Sequence, residues 1–379
     1  GVRIVGWGTY VPETVLTNED IRQRLIKKRL EAEDWLKRHS RPPMTEEQAK
    51  EFETSDKWIM KNVGFRERRI AAPGQSTTDL GKLALEAALK QTRLTADDLD
   101  GVIATNVTMD HPYSPSNSPL IQFGVGIPAF LNTKVQLTGK PMPRDGKYGD
   151  NALACCSFLC ALDTADSHIR SGKCRRLAVI GADAMFETVN WNSRNFACVL
   201  GDGGFAVIIE AVPEGQPESF GVNHFFSGCD GSQADLVCTP AGGTRKPLTP
   251  ETLDNPFDQG HKLDMNGPKL FETVIPLIAE QVIPAALEKA GRSLNEIAVI
   301  VLHQANLRMN RLIEAKLSRL GFTGVVFNNG DKYGNTTSAS IGLAHAEAVA
   351  QGVVKPGQLV LWVAFGGGLS WYTALVRWL

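Results

Sequence analysis

The sequence predicts an α/β fold assembled from two copies of one unit, and three observations carry that reading. Residues 87–105, AALKQTRLTADDLDGVIAT, align without a gap to residues 285–303, AALEKAGRSLNEIAVIVLH, each a helix end, a turn and a buried strand. CCSFLCALDTADSHIRSG and NTTSASIGLAHAEAVAQG then follow in the same order, with Cys155 17 residues before Gly172 and Asn335 17 before Gly352. Each of these glycines closes a helical stretch and leads into an apolar strand, LAVIGAD in one copy and LVLWVAF in the other. The copies divide as 1–215 and 216–379 around a linker near AVPEGQPES, residues 211–219, and Cys155 and Asn335 are expected to start equivalent helices.

The opening GVRIVGWGTYVPE lacks a basic stretch followed by an apolar one, so no secretory signal is read there. Its GWG follows a strand-like RIV but lacks the third glycine of a dinucleotide-binding loop, and GDGGFAVIIE leads into a β-branched run instead of a helix. Residues 20–57 are rich in charge, and Ile21, Leu25, Ile26 and Leu30 give them the apolar stripe of a surface helix. Arg22, Arg24, Lys27, Lys28 and Arg29 on that helix suit an acidic carrier protein, but the plainer reading is a solvated face. Residues 132–150, NTKVQLTGKPMPRDGKYGD, read as a loop. The most apolar stretch, Leu359–Leu379, is interrupted by Gly366, Gly367, Gly368 and Arg377, which suits two buried strands and not a membrane span.

With 379 residues, 43% of them hydrophobic, the chain can bury a large core. Its 40 Lys and Arg balance 41 Asp and Glu, so its charge argues against a nucleic-acid binder or a membrane-surface protein and for a small or carrier-borne substrate. Seven cysteines, an odd number, make a poor disulfide framework and point to a reducing compartment, the cytoplasm.

Cys155 opens a pattern in which Phe158, Leu162, Ala165 and Ile169 recur at helical spacing, so its sulfur is expected near a helix N-terminus. Exposed N–H groups and the helix dipole there favour the thiolate, the nucleophilic form. Cys156 and Cys160 are read as inert core residues, and the three cysteines lack the spacing and fourth ligand of a metal site. His303 ends the apolar strand AVIVL at the edge where side chains face a cleft, and Asn335 precedes a helix, where it is either a turn residue or a cap. AFGGGLSW permits close backbone approach.

Taken in order, TSDKWIMKNVGFRERRIAAP, ALACCSFLCAL, VLGDGGFAVI, HQANLRMN, YGNTTSASI, PGQLVLWVAFGGGLSW and TALVRW resemble the signature segments of the ketoacyl-ACP synthase III family. The resemblance implies a thiolase fold: two duplicated βαβαβαββ halves in a five-layered αβαβα sandwich, the first carrying the nucleophile and the second the histidine and asparagine, usually as a homodimer. It implies that Cys155 takes an acyl group from acyl-CoA and that His303 and Asn335 assist decarboxylation of malonyl-ACP, with no cofactor. It further implies an oxyanion hole from the N–H groups of Cys155 and Gly367, a CoA adenine site at Trp58 and Arg194, and carrier-protein docking at Arg308. Asn62 departs from the arginine common near CoA, Cys156 and Ser157 replace the usual small pair, and about 20–53 and 132–150 read as insertions. The alternative is a relative that moves its acyl group to a hydroxyl or amine without decarboxylation. Head-to-head condensing relatives use a glutamate after the first core strand, and TNVTMDHPYSPSNSP contains none.

Overall fold

Residues alternate between two apolar layers along β1 (Val2–Tyr10), and one irregularity changes which face is which. Val2 and Ile4 point into the centre of the protein, the register shifts between Ile4 and Gly6, and Gly6 and Gly8 then face the first long helix of the core. A Cβ on Gly8 would lie 2.3 Å from the Ala84 oxygen and the Ala88 nitrogen, so the GWG motif serves strand-to-helix contact.

The computed structural model describes residues 1–111, 114–127, 147–151, 153–213 and 221–378. The first sheet joins β1 to β2 (Gly101–Thr105), β3 (Lys147–Asn151), β4 (Arg176–Asp183) and β5 (Gly203–Ala211) in the order β1-β5-β4-β2-β3. The second contains β6 (Gly221–Cys229), β7 (Ile297–Leu302), β8 (Val325–Phe327), β9 (Leu359–Gly366) and β10 (Ser370–Arg377) in the order β6-β10-β9-β7-β8. Order and sense agree strand for strand: β2 is parallel to β3 and β4 as β7 is to β8 and β9, and the other pairs are antiparallel.

Helices complete the correspondence. After α1 (Asn18–Arg38) come α2 (Thr77–Thr92), α3 (Asn117–Val125) and α4 (Ser157–Arg170), matched by α5 (Gly267–Lys289), α6 (Leu307–Arg319) and α7 (Ser340–Ala350). Each half therefore reads βαβαβαββ. Leu80, Ala84 and Leu85 of α2 cover the outer face of the first sheet with Ile121 of α3. Phe158 and Leu162 of α4 and Ile341 and Ala344 of α7 fill the space between the sheets, against Val179 and Val207 on one side and Val301 and Trp362 on the other. Ile278 and Ile283 of α5 and Ile313 of α6 cover the outer face of the second sheet. Neighbouring strand residues alternate between these layers, as Val179 and Ile180 do in β4, which is the period-2 signal that marks a strand buried on both faces. The result is the five-layered sandwich of the thiolase fold.

Three expectations change. Lys147–Asn151 forms the edge strand β3, so the loop reading of 132–150 fails at its end; an edge strand paired on one side takes its order from β2 and needs no apolar alternation of its own. On α1, Ile21 and Leu25 are buried but Ile26 and Leu30 are exposed, because the helix docks through a narrow seam. Cys155 and Asn335 do not begin equivalent helices: they precede α4 by two residues and α7 by five, the latter across a 3₁₀ turn at Thr337–Ala339. Among the described residues the helix long and apolar enough to cross a membrane is Gly267–Lys289, half of whose apolar window is buried in the second-sheet core. Residues 132–146 and the division at 215/216 lie outside the described residues.

Candidate active site

The loop 153–157 turns tightly into α4. Ser157 Oγ accepts from Leu153 N–H at 2.7 Å and donates to Ala154 O at 2.6 Å, and Ala154 takes the left-handed φ of +46°. This turn brings Cys155 against Gly366 at the end of β9, where an added Cβ would stand 3.0 Å from Cys155 N. The glycine run thus provides the close approach its composition allows, and Gly367 follows into the same pocket. Among the described residues no main-chain carbonyl accepts the N–H of Gly367, which is thus open to a ligand oxygen.

His303 directly follows β7. Its N–H extends the sheet ladder to Val363 O at 2.8 Å, and its carbonyl accepts from Asn310 Nδ2 at 3.2 Å. The ring stands edge-on to Phe365, and Nδ1 lies 2.5 Å from Ser340 Oγ. Burial pulls the imidazole down to about 3, so it is neutral across the physiological range. Asn335 is pinned between the halves: its N–H donates to Val199 O at 2.9 Å and its O accepts from Gly201 N–H at 3.0 Å. Its side-chain Oδ1 accepts from Thr337 N–H at 2.9 Å, which leaves the amide NH2 as the outward-facing donor. The turn after it hangs on Asp183, whose Oδ2 accepts from Thr337 Oγ1, Ser338 N–H and Ser338 Oγ and whose Oδ1 accepts from Val107 N–H and Thr108 N–H.

Cys155, His303, Asn335 and Gly367 line one pocket of about 750 Å³, its open mouth included. Its walls are apolar: Phe196, Leu200, Leu270, Phe271, Val274 and Met309 contribute. The expected thiolate at rest is corrected here. Burial, followed by the neighbouring Cys156 and Asp183, pushes the Cys155 thiol well above the usual range, because desolvation outweighs a helix that starts two residues later. No group of His, Cys, Asp and Glu among the described residues is arranged to hold a metal.

The other expected contacts are peripheral. Trp58 and Arg194 do not line this pocket; the Arg194 guanidinium lies 4.7 Å over the Trp58 ring and donates to Glu53 O, so a ring entering between them must part them. Arg308, exposed near the start of α6, lies 5.5 Å over Phe271, which lines the pocket. A polar cleft that includes Glu51, Asn190, Ser193 and Lys246 shares Met265 with the apolar pocket. On α1, Arg22, Lys28 and Arg29 pair with Glu19, Glu31 and Glu33, and Arg24 lies over Phe186, in keeping with the solvated-face reading. Sequence reading missed Ser340, Thr337 and Asp183, and it missed the apolar wall from α5. For Asp183 the one available signal was a carboxylate at the end of an otherwise apolar strand.

Known proteins agree with this architecture. Models of 3-oxoacyl-[acyl-carrier-protein (ACP)] synthase III match residues 150–231, and of its C terminal residues 287–378. A beta-ketoacyl-[acyl-carrier-protein] synthase III of Roseiflexus sp. (strain RS-1) is 37% identical over 377 residues, 99% of this chain and 98% of the relative. The crystal structures of the synthases III from Aquifex aeolicus VF5 and Thermus thermophilus superpose with TM-scores of 0.75 at 30% and 31% identity, covering 100% and 99% of each chain. The chain therefore belongs to the 3-oxoacyl-[acyl-carrier-protein] synthase III family, and it is a transferase that acts by decarboxylating condensation.

Proposed function

We propose that Cys155 accepts an acyl group from acyl-CoA and that His303 and Asn335 then drive its condensation with malonyl-ACP to a 3-oxoacyl-ACP. The observation that carries this reading is a thiol and two neutral side-chain donors lining one apolar-walled pocket. In the first half-reaction the Cys155 sulfur bonds to the acyl carbon, the bond to the CoA sulfur breaks, and the thiol proton leaves with CoA. The N–H groups of Cys155 and Gly367 hold the oxyanion of that step. In the second, the malonyl group loses carbon dioxide and its thioester oxygen becomes an enolate, held by His303 Nε2–H and the Asn335 amide. The enolate carbon then bonds to the acyl carbon and the Cys155 sulfur departs. The departing carbon dioxide supplies the carbanion, so the chemistry needs no cofactor.

For the donors we assign CoA to the side of Trp58, Arg194 and the polar cleft, and the acidic carrier protein to Arg308 at the mouth. The free cysteines suit a reducing compartment, the cytoplasm, which cell fractionation checks. A homodimer is supported by β3, an edge strand, and by Phe123 of α3, 86% exposed. Light scattering at micromolar concentration is expected to return twice the 41.2 kDa chain mass, and a fully active monomer contradicts the dimer.

The half-reactions are expected to respond differently to pH. Because the Cys155 thiol is raised, its thiolate fraction and with it the acylation rate climb between pH 6 and 9, by up to about tenfold per unit. Condensation by the pre-formed acyl-enzyme stays flat over that range, because His303 gains a proton only near pH 3. Single-turnover rates with peptide mapping read both, with the acyl mass on Cys155. An acyl group on Cys156, or a condensation step that titrates near pH 6.5, contradicts the assignment.

A further inference from the structure

We propose that Ser340 is the positioning residue that holds His303 in the tautomer with its proton on Nε2, facing the pocket. This rests on the condensing reading above, in which His303 must donate. Ser340 Oγ lies 2.5 Å from His303 Nδ1, and Gln304 N–H points at the same oxygen from 3.5 Å. Both Ser340 and His303 are 1% exposed, so water does not balance the count. A serine hydroxyl has one proton. If Nδ1 carried the ring proton, the oxygen would face two N–H donors, and no acceptor among the described residues would remain for its own hydrogen. If the hydroxyl donates to Nδ1, Ser340 Oγ and Nδ1 are both satisfied and the ring proton sits on Nε2.

The surroundings leave the ring little other choice. His303 is anchored through its backbone to Val363 and Asn310, and Phe365 covers the ring edge-on. Ser340 is the first residue of α7 and follows the 3₁₀ turn that Asp183 holds through Thr337 and Ser338. Among the described residues no group bonds Nε2, while His303 lines the pocket. Burial keeps the ring neutral, so one nitrogen donates and the other accepts, and Ser340 selects which.

The test uses the whole enzyme labelled with 15N-histidine, with the His303 signals assigned by their loss in His303→Asn. Wild type is expected to show a protonated Nε2 and an unprotonated, hydrogen-bonded Nδ1. In Ser340→Ala that pattern is lost or mixed, and condensation by pre-acylated enzyme falls about tenfold while acylation of Cys155 holds within twofold. Ser340→Thr, which keeps the hydroxyl, restores both the signal and the rate. A wild-type ring protonated on Nδ1, or a Ser340→Ala enzyme whose tautomer and condensation rate are unchanged, overturns the proposal. Failure of wild type to release carbon dioxide from a malonyl thioester would contradict the condensing reading instead, and the tautomer signal still decides the role of Ser340.

Discussion

Asn335→Ala enzyme is expected to acylate Cys155 at near the wild-type rate and to lose about 100- to 1,000-fold in condensation, the usual effect of removing one oxyanion donor. The asymmetry follows from where charge develops. In the proposed mechanism the acylation oxyanion lies at the N–H groups of Cys155 and Gly367, which the substitution leaves in place. In the decarboxylation step proposed above it lies on the malonyl thioester oxygen, with the Asn335 amide as one of two donors. The fold prepares that amide before substrate arrives: the bond from Thr337 N–H to Oδ1 sets the plane of the group, and the backbone bonds to Val199 and Gly201 set its position. No reorganisation is then needed at the moment of reaction. Stopped single turnovers that follow acyl-enzyme mass and product separately read the split, and equal losses in both steps contradict it.

The second large effect is structural. Asp183→Ala is expected to lower unfolding stability by about 3 kcal/mol or more, because it strands buried donors at Val107, Thr108 and Ser338 that each cost about 1–3 kcal/mol when unpaired. Relief of the buried carboxylate, whose pKa desolvation raises, offsets part of that sum. Asp183→Asn is no substitute, since its NH2 faces a donor on either side. Asp183 joins the end of β4 in one half to the turn before α7 in the other, so its loss also loosens Asn335 and Ser340. Urea unfolding of purified variants measures the effect; an unfolding free energy within about 0.5 kcal/mol of wild type contradicts the role.

What the sequence revealed and what it hid follow from the range of the interactions. The duplication was legible because helix and strand periodicities are local and recur in order. Cys155, His303 and Asn335 stood out because each sits at the junction of two such elements. Ser340 and His303 are 37 residues apart, and no spacing rule joins a strand end to a helix start across α6 and β8. The state of the Cys155 thiol was misjudged because desolvation is a property of the assembled layers, whereas the helix end that argued for a thiolate is local. β3 lacks a strand pattern of its own and exists through β2. GWG, which lacks the third glycine of a dinucleotide-binding loop, has a packing role that only the contact of Gly8 with Ala84 and Ala88 reveals.

In the proposed reaction one pocket couples loss of the acyl group from Cys155 to loss of carbon dioxide from the malonyl thioester. Enzyme acylated on Cys155, freed of donor, and mixed with carboxyl-labelled malonyl-ACP in a single turnover tests it directly. The expected result is one labelled carbon dioxide released for each acyl group that leaves Cys155, with 3-oxoacyl-ACP as the product. Acyl loss to a hydroxyl or amine acceptor with the label retained on malonyl-ACP would contradict it.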